Sequence, residues 1–228
     1  MVRTLLILAV FIASLTSQSF ANPETFKRHN IKLGYAKLNF SIESSQLTGD
    51  LTPPGITGTA KNTDTLAFTY DYFFTPNWSL QLAGGYPPEV DLIALLDGAS
   101  LGKVGSATAA FPGLLGLYHM NVGGGDFYFG GGFNYTVLYE GKTNDLFNQT
   151  FQGTSTDVDL KDSFGGILKI GYQYPISDNF KLDFSMAKYW VTADFSLVTT
   201  TPGVGDVERN VAIDIDPNVW FVMLSYDF

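Results

Sequence analysis

The feature that most constrains the fold of this chain is a two-residue alternation that continues for about ten residues or more at a time. One side of each run is apolar and aromatic, and the other is small or polar. In the first clear run the apolar side consists of Leu66, Phe68, Tyr70, Tyr72 and Phe74. Side chains alternate between faces every two residues in a strand, whereas a helix repeats every 3.6. Strands in soluble domains usually span about 5–6 residues, so the longer runs predict strands that cross a bilayer at a tilt.

The alternation and the turn residues together predict eight strands. They lie at residues 30–42, 63–74, 78–88, 107–120, 126–140, 162–175, 180–196 and 211–228. Short turns rich in Pro, Asn, Asp or Gly occur at Thr75–Trp78, Asn121–Asp126 and Ser177–Phe180, and long loops are expected at residues 43–62, 89–106, 141–161 and 197–210. Within the second loop, Val90–Leu96 could form a short helix. Short periplasmic turns and long extracellular loops are typical of outer-membrane barrels. The predicted fold is therefore all-β, an eight-stranded antiparallel transmembrane β-barrel with up-and-down meander connections.

Composition favours a chain that lies in lipid. Charged residues make up only 15% of the sequence and aromatic residues also 15%, whereas a soluble domain usually carries about 25% charged residues. After Ala21 there is no continuous apolar segment long enough to span a membrane as a helix. Because lipid accepts only helices and closed barrels, these two observations favour the barrel. A soluble β-sandwich is the alternative that the alternation alone leaves open.

The first 21 residues have the pattern of a secretory signal peptide. A short basic start containing Arg3 precedes a mostly apolar run from Thr4 to Leu15, which is too short for a membrane-spanning helix. Small residues at Ser19 and Ala21 match the positions that a signal peptidase reads. We therefore expect a signal peptide at residues 1–21, cleavage after Ala21, and one outer-membrane barrel domain at residues 22–228 in the bacterial cell outer membrane.

Charge and cysteine content exclude several functional classes. The formal net charge of −9 argues against nucleic-acid binding, which depends on Lys and Arg that neutralise phosphates. The acidic residues fall mainly in the predicted loops, where a solvated surface is the simple explanation and cation-bridged contact with anionic lipids is the sharper one. The chain has no cysteine, so thiol chemistry is excluded. Neither Asp157–Asp159 nor Asp214–Asp216 has the spacing of a calcium loop, and no metal or cofactor is expected.

Several ordered motifs resemble the OmpW family of small outer-membrane barrels, which includes alkane-uptake proteins. The resemblance runs from about Ile31 to Phe228. It is carried by Thr75–Trp78, Gly132–Thr136, Lys161–Gly165, Ser177–Phe180 and the final segment Ile213–Trp220. Pro112 with Leu115, Leu117, Tyr118 and His119 resembles the fourth strand of the family, although Phe111–Pro112–Gly113 stands where the family has a double proline. The resemblance implies a narrow hydrophobic lumen and passage of small apolar molecules, with sideways exit into the membrane.

The inward face of the predicted strands supplies candidates for such a lumen. They are apolar residues on the side of each strand that opposes the lipid-facing aromatics, namely Phe73, Phe111, Val219, Phe221 and Met223. An eight-stranded barrel is just wide enough for side chains to fill it or for one small ligand, so these residues would either line an open lumen or plug it. Pro87, Pro88 and Pro112 fall at neighbouring strand ends, where proline cannot donate to the ladder. They are candidates for a lateral gap, with an ordinary strand end as the alternative.

The leading functional hypothesis is therefore uptake of small hydrophobic molecules, and two other classes compete with it. A hydrolase would need a histidine within reach of a nucleophile, but His29 and His119 are the only histidines and neither lies in a serine motif. We therefore expect no enzymatic activity. A passive surface barrel, acting as a receptor or adhesin, is favoured by the turn-rich loops. Expected partners are outer-membrane lipids, small hydrophobic molecules and, through Phe228, the barrel-assembly machinery.

Overall fold

The computed structural model describes residues 26–228, so the expected signal peptide and its cleavage site lie outside the described residues. The strands are β1 (His29–Asn39), β2 (Glu43–Ser44), β3 (Thr48–Gly49), β4 (Ile56–Ala60), β5 (Thr63–Thr75), β6 (Trp78–Gly85), β7 (Glu89–Leu96), β8 (Ala99–Ala110), β9 (Gly113–Val122), β10 (Gly125–Thr143), β11 (Ser155–Lys161), β12 (Ser163–Pro175), β13 (Phe180–Tyr189), β14 (Thr192–Thr201), β15 (Gly205–Asp214) and β16 (Asn218–Asp227). One short helix, α1 (Asp145–Thr150), interrupts them. No helix within residues 26–228 is long and apolar enough to cross a membrane.

Eight of these strands close into a barrel. They follow one another around the wall in the order β1, β5, β6, β9, β10, β12, β13 and β16, and every pairing is antiparallel. The last strand returns to the first along ten residue pairs, from Asn30 opposite Asp227 to Asn39 opposite Asn218. Closure leaves no free edge in the wall, which is what a sheet in lipid requires. The predicted all-β, eight-stranded up-and-down barrel is confirmed.

The alternation in the sequence corresponds to the two faces of the barrel wall. On β16, Trp220, Val222 and Leu224 are exposed on the outer surface, whereas Phe221 and Met223 are buried inside. The outer residues form the apolar surface that faces lipid. The same assignment holds on β5, where Leu66 is exposed on the outside.

Three short turns lie at one end of the barrel, as expected. The turn between β9 and β10 consists of Gly123 and Gly124, both with positive φ of 61° and 84°. Two consecutive residues in this region define the two-residue hairpin turn that follows the natural twist of a strand pair. Since short turns face the periplasm in this class of barrel, this end is the periplasmic one.

At the opposite end, the structure corrects two expectations about the long loops. Residues 89–106 and 197–210 are mostly strand and not loop, because β7 with β8 and β14 with β15 continue the barrel outward as hairpins. The helix considered at Val90–Leu96 is also wrong, since this segment is β7 and pairs with β8 on one side and β4 on the other. Its turn, Asp97–Gly98, has φ of 49° and 82°. An Asp–Gly pair between apolar runs is a strong hairpin signal, whereas the sequence analysis predicted a loop here.

The outward extensions form a second, smaller shell of sheet above the barrel. β11, β14, β15 and β2 make one sheet, with β3 also paired to β15, whereas β4, β7 and β8 join the outer part of β10. Helix α1 lies at the outer end, where its N-cap Asn144 accepts a hydrogen bond from the Phe147 amide at 3.1 Å. This helix falls in the expected loop at residues 141–161 and places Phe147 in a small apolar core.

Candidate functional site

A belt of charged side chains crosses the lumen of the barrel. At its centre the Lys32 ammonium lies 3.3 Å from a carboxylate oxygen of Asp71 and 3.1 Å from one of Asp183, and all three side chains are fully buried. These are ion-pair separations, although the angles at Nζ miss those of a hydrogen bond. The Tyr128 hydroxyl donates to Asp183 at 2.7 Å, and the Lys32 ammonium lies 4.5 Å from the centroid of the same tyrosine ring. One cation therefore bridges two carboxylates that come from different strands.

A second cation completes this belt and balances its charge. Lys169 donates to the side-chain oxygen of Gln81 at 2.8 Å, and the Gln81 amide donates to Asp71 at 2.7 Å. We call Lys32, Asp71, Gln81, Tyr128, Lys169 and Asp183 the charged belt. Two ammonium groups face two carboxylates, so the belt is formally neutral. A buried charge is costly unless it is paired, and here Lys32 is paired with two carboxylates while Lys169 is hydrogen-bonded to Gln81.

An apolar cavity of about 40 Å³ lies on the outer side of the charged belt. We call it the lumen cavity. Three of the predicted lumen residues, Phe111, Val219 and Phe221, line it, together with small and apolar neighbours such as Ala36, Leu38, Ala67, Ala83 and Tyr189. Phe221 also lies under the Lys169 ammonium, which is 4.8 Å from its ring centroid. The aromatic ring of Phe221 therefore separates the cavity from the charged belt.

The other two predicted lumen residues lie away from this cavity. Met223 follows Phe221 on the inward face of β16 and is 1% exposed, against the backbone of Gly34. Phe73 lies at the periplasmic end, where its ring is 4.7 Å from that of His119. The five candidates therefore share the inward face without forming one cluster.

Two of the three predicted gap prolines form part of the wall of the lumen cavity. Pro87 and Pro88 line it where β6 ends at Gly85 and before β7 begins at Glu89. The last backbone hydrogen bond from this side to β5 runs from the Tyr86 amide to the Leu66 carbonyl at 2.8 Å, and the Thr65 hydroxyl donates to the Tyr86 carbonyl at 2.5 Å. The prolines that follow have no amide hydrogen to donate, so the ladder between β5 and this segment stops there.

Pro112 occupies a different position. Its carbonyl accepts a hydrogen bond from the Tyr135 amide at 3.0 Å, so pairing with β10 continues past it. Pro112 also does not line the lumen cavity. The wall is interrupted on both sides of this segment. Toward β5 the backbone pairing ends at Tyr86. Toward the fourth barrel strand it ends at Ala83 opposite Gly113 and resumes where the Ala109 amide donates to the Pro88 carbonyl at 3.1 Å.

A second apolar cavity, of about 70 Å³, lies in the outer shell of sheet, and we call it the loop cavity. Leu47, Ile56, Phe147 and Leu197 line it, and together with Phe151 they form a separate apolar core above the barrel. The sequence reading did not identify these residues, because it assigned their segments to solvated loops. The Asp97–Gly98 turn signals only the hairpin of β7 and β8, which contributes Leu92 and Val104 to the same cavity.

At the periplasmic end a hydrogen-bonded chain links Ser79, His119 and Asp126. The Ser79 hydroxyl lies 2.8 Å from His119 Nε2, and His119 Nδ1 lies 2.8 Å from a carboxylate oxygen of Asp126. His119 and Asp126 border a cavity of about 360 Å³ that Ser79 does not line. Serine, histidine and acid in this order resemble a hydrolase triad in distance. The sequence analysis did not predict a contact between Ser79 and His119.

The surroundings of Ser79 lack the other parts of a hydrolase. Its side chain is 2% exposed, and residues 78–83 of its strand pair with β9 on one side, while β5 pairs on the other. The His119 amide donates to the Asn77 carbonyl at 2.8 Å. Acyl transfer needs free donors aimed at the developing oxyanion, whereas these amides are engaged in the wall. Within residues 26–228 no cluster of side chains has the composition of a metal site.

Comparison with known proteins agrees with this architecture. The model of the OmpW family matches residues 29–228. Outer membrane protein W of Vibrio cholerae is 27% identical over 179 residues, which covers 74% of this chain and 76% of that protein. Among solved structures, the outer membrane protein OprG of Pseudomonas aeruginosa has a TM-score of 0.78 at 23% identity. The match covers 89% of this chain and 96% of the OprG chain. The outer membrane protein AlkL has a TM-score of 0.59 at 18% identity, and the match covers 94% of this chain and 97% of the AlkL chain. The chain is thus a β-barrel of the bacterial outer membrane and belongs to the OmpW family.

Proposed function

We propose that this barrel takes up small hydrophobic molecules through its outer half and releases them sideways into the membrane. The observation that carries the proposal is the position of the lumen cavity, between the outer shell and the charged belt, beside the proline-interrupted wall. A molecule that enters from outside meets apolar side chains as far as Phe221. Apolar surface gains free energy when it leaves water for such surroundings.

The charged belt makes straight passage to the periplasm unfavourable for such a molecule. An apolar solute can reach the periplasmic end only by separating Lys32 from Asp71 and Asp183, which are fully buried. Separation would leave buried charges without partners, and an alkane has no groups that could replace them. The lipid beyond the wall is, in contrast, an apolar solvent for the same molecule.

The segment at Pro87 and Pro88 is the proposed exit. Opening the wall within a paired ladder would break hydrogen bonds between strands, whereas residues 87–88 have no amide hydrogen to donate toward β5. On the other side only the Pro88 carbonyl is engaged, by the Ala109 amide at 3.1 Å. On the lipid side this segment is flanked by Tyr86, which is 74% exposed. The names of the relatives do not specify a cargo, so the hydrophobic class is inferred from this geometry and from the family resemblance.

The proposal is tested by uptake of an isotopically labelled medium-chain alkane. Cells that express the barrel are compared with cells that carry an empty vector, with equal amounts of folded barrel in the outer membrane. We expect faster uptake with the barrel and loss of that gain in Phe221→Glu, which places a charge in the lumen cavity. Phe221→Leu is the matched control and should keep most of the uptake. Equal uptake in barrel-containing and empty cells would refute the proposal and favour a passive surface barrel.

We propose that the protein carries out no catalysis, despite the hydrogen bonds that link Ser79, His119 and Asp126. The buried hydroxyl and the engaged amides around it argue for a structural hydrogen-bond network that ties β6, β9 and β10 together. A serine-directed fluorophosphonate probe tests this assignment on the folded barrel. Covalent labelling that disappears in Ser79→Ala would overturn it.

A further inference from the structure

Arg209 is a buried cation in the outer shell of sheet. It lies on β15 opposite Leu197, on the face that points into the shell, and is 1% exposed. Its guanidinium carbon lies 4.3 Å from the centroid of the Phe151 ring. A guanidinium favours such stacking, but an aromatic ring does not neutralise its charge.

The guanidinium of Arg209 lacks a charged partner. Among residues 26–228, no acidic side chain forms an ion pair with it. Its Nε donates to the Thr52 hydroxyl at 3.1 Å, and its Nη1 is buried without any hydrogen-bond partner. Burial lowers the pKa of this group without discharging it. A buried charge in this state is costly unless something pairs with it.

The loop cavity lies next to this unpaired cation. Leu197, the cross-strand partner of Arg209, lines the cavity, and so does Phe147, whose ring is 4.7 Å from the ring of Phe151. Lys142 also borders the cavity but is exposed to solvent. The cationic group is therefore next to the apolar cavity: it contacts Phe151, whose ring is tilted by 50° against the cavity-lining Phe147, and it lies across the strand pair from Leu197.

We propose that Arg209 and the loop cavity bind a single-chain amphiphile with a carboxylate head, such as a medium-chain fatty acid. The carboxylate pairs with the guanidinium in place of the Thr52 hydroxyl, and the chain occupies the loop cavity. The inference rests on the proposed uptake function and adds anionic amphiphiles to its cargo. Carboxylates match the planar fork of arginine in two parallel hydrogen bonds, whereas Thr52 offers one neutral oxygen.

The overall negative charge of the protein means that an anionic ligand needs a local cation to offset repulsion. With a formal net charge of −9, the protein repels anions over most of its surface. A charge-assisted hydrogen bond to a shielded guanidinium corresponds to an affinity gain of about tenfold to a hundredfold. A neutral alcohol of equal chain length would enter the cavity without that gain.

Arginine side-chain NMR provides a direct test, because the chain contains only Arg3, Arg28 and Arg209. The barrel is labelled with ¹⁵N-arginine and placed in lipid nanodiscs, and the Arg209 Nε signal is assigned by its loss in Arg209→Lys. Octanoate, 1-octanol and inorganic phosphate are titrated separately, with partitioning into lipid corrected by empty nanodiscs. Arg28, at the periplasmic end near Phe74, is the internal control.

The proposal requires a saturable shift of the Arg209 signal with octanoate, at least tenfold tighter than with 1-octanol, and no shift of Arg28. Arg209→Met keeps an unbranched side chain without charge, so intrinsic fluorescence should report equal affinity for octanoate and octanol. Thr52→Ala removes the internal competitor and should tighten octanoate binding, whereas a purely structural Arg209 would predict no gain.

Equal affinity for octanoate and octanol in the native barrel would overturn the inference. Equal affinity for phosphate and octanoate would overturn the amphiphile assignment, since it would define a simple anion site. Both measurements are independent of alkane uptake. The proposed function can therefore fail, through unchanged alkane uptake, while Arg209 still binds octanoate, and the reverse result is equally distinguishable.

Discussion

Lys32→Met should destabilise the barrel strongly, because it removes the cation that bridges two buried carboxylates. Asp71 and Asp183 are within 3.3 Å and 3.1 Å of the ammonium and are fully buried. Removing one partner of a buried pair costs about 3–5 kcal/mol. Asp183 keeps hydrogen bonds from Tyr128 and Ser185. We therefore expect the lower end, a loss of about 3 kcal/mol in the free energy of unfolding.

A double substitution separates charge balance from packing. In Lys32→Met with Asp183→Asn, the remaining charges are Asp71 and Lys169, which Gln81 already bridges. The belt is then neutral again, so the double variant should regain at least about 1 kcal/mol relative to the sum of the two single losses. Simple loss of packing would give additive effects instead.

The assay is urea unfolding of the barrel in phospholipid vesicles, followed by tryptophan fluorescence. Lys37→Met is the matched control, because Lys37 lies on the same strand but is exposed on the outer surface. The Lys37→Met variant should not lose a comparable amount of unfolding free energy. If Lys32→Met and Lys37→Met lose equal free energy, or if the double variant is additive, the reasoning about the charged belt is refuted.

Three further predictions address the exit, the serine and the glycine packing of the wall. A disulfide between Thr65→Cys and Pro87→Cys, whose positions both line the lumen cavity, should slow alkane uptake until a reductant is added; unchanged uptake in the oxidised form would argue against this exit. Ser79→Ala should take up alkane at the native rate, and a large loss would mean that Ser79 has a role beyond structure. Gly132→Ala should lose about 2 kcal/mol or more of unfolding free energy, as overpacking costs about 1–3 kcal/mol, because the added Cβ would overlap the Leu114 carbonyl oxygen. Gly84→Ala is its control, since a Cβ there meets nothing within 4 Å, and similar losses in urea unfolding would refute the packing argument.

The barrel itself was predictable because its signal is local and repeated. Alternation along β5 and β16 identifies the lipid-facing side from side-chain chemistry alone, and Gly123–Gly124 marks a turn by the backbone conformation it requires. The signal peptide and the contact of Phe228 with the assembly machinery stay predictions. The outer shell was missed because turn-rich segments were interpreted as loops, although Asp97–Gly98 between apolar runs pointed to a hairpin.

The candidate site was less predictable, since it depends on how far each strand is shifted along its neighbour. Alternation places Asp71, Lys169 and Asp183 on the inward face, but it does not indicate that they meet at one level. That level is set by register, which pairs Asp71 with Gln81 across β5 and β6 and Asp183 with Met223 across β13 and β16. The same limitation applies to Ser79 and His119, which are 40 residues apart and meet only in the closed barrel.

The level of the charged belt also determines what the prolines can do. If the belt lay above Pro87 and Pro88, a solute from outside would meet charges before it reached the interrupted part of the wall. Instead, Phe221 and the lumen cavity lie between the outer shell and the belt, and the prolines open onto that cavity. In the proposed function, an apolar solute therefore reaches the interrupted part of the wall before it reaches the buried charges of the lumen. A proline pair between two strands of the wall becomes a proposed exit only through this order, which neither the prolines nor the charges specify alone.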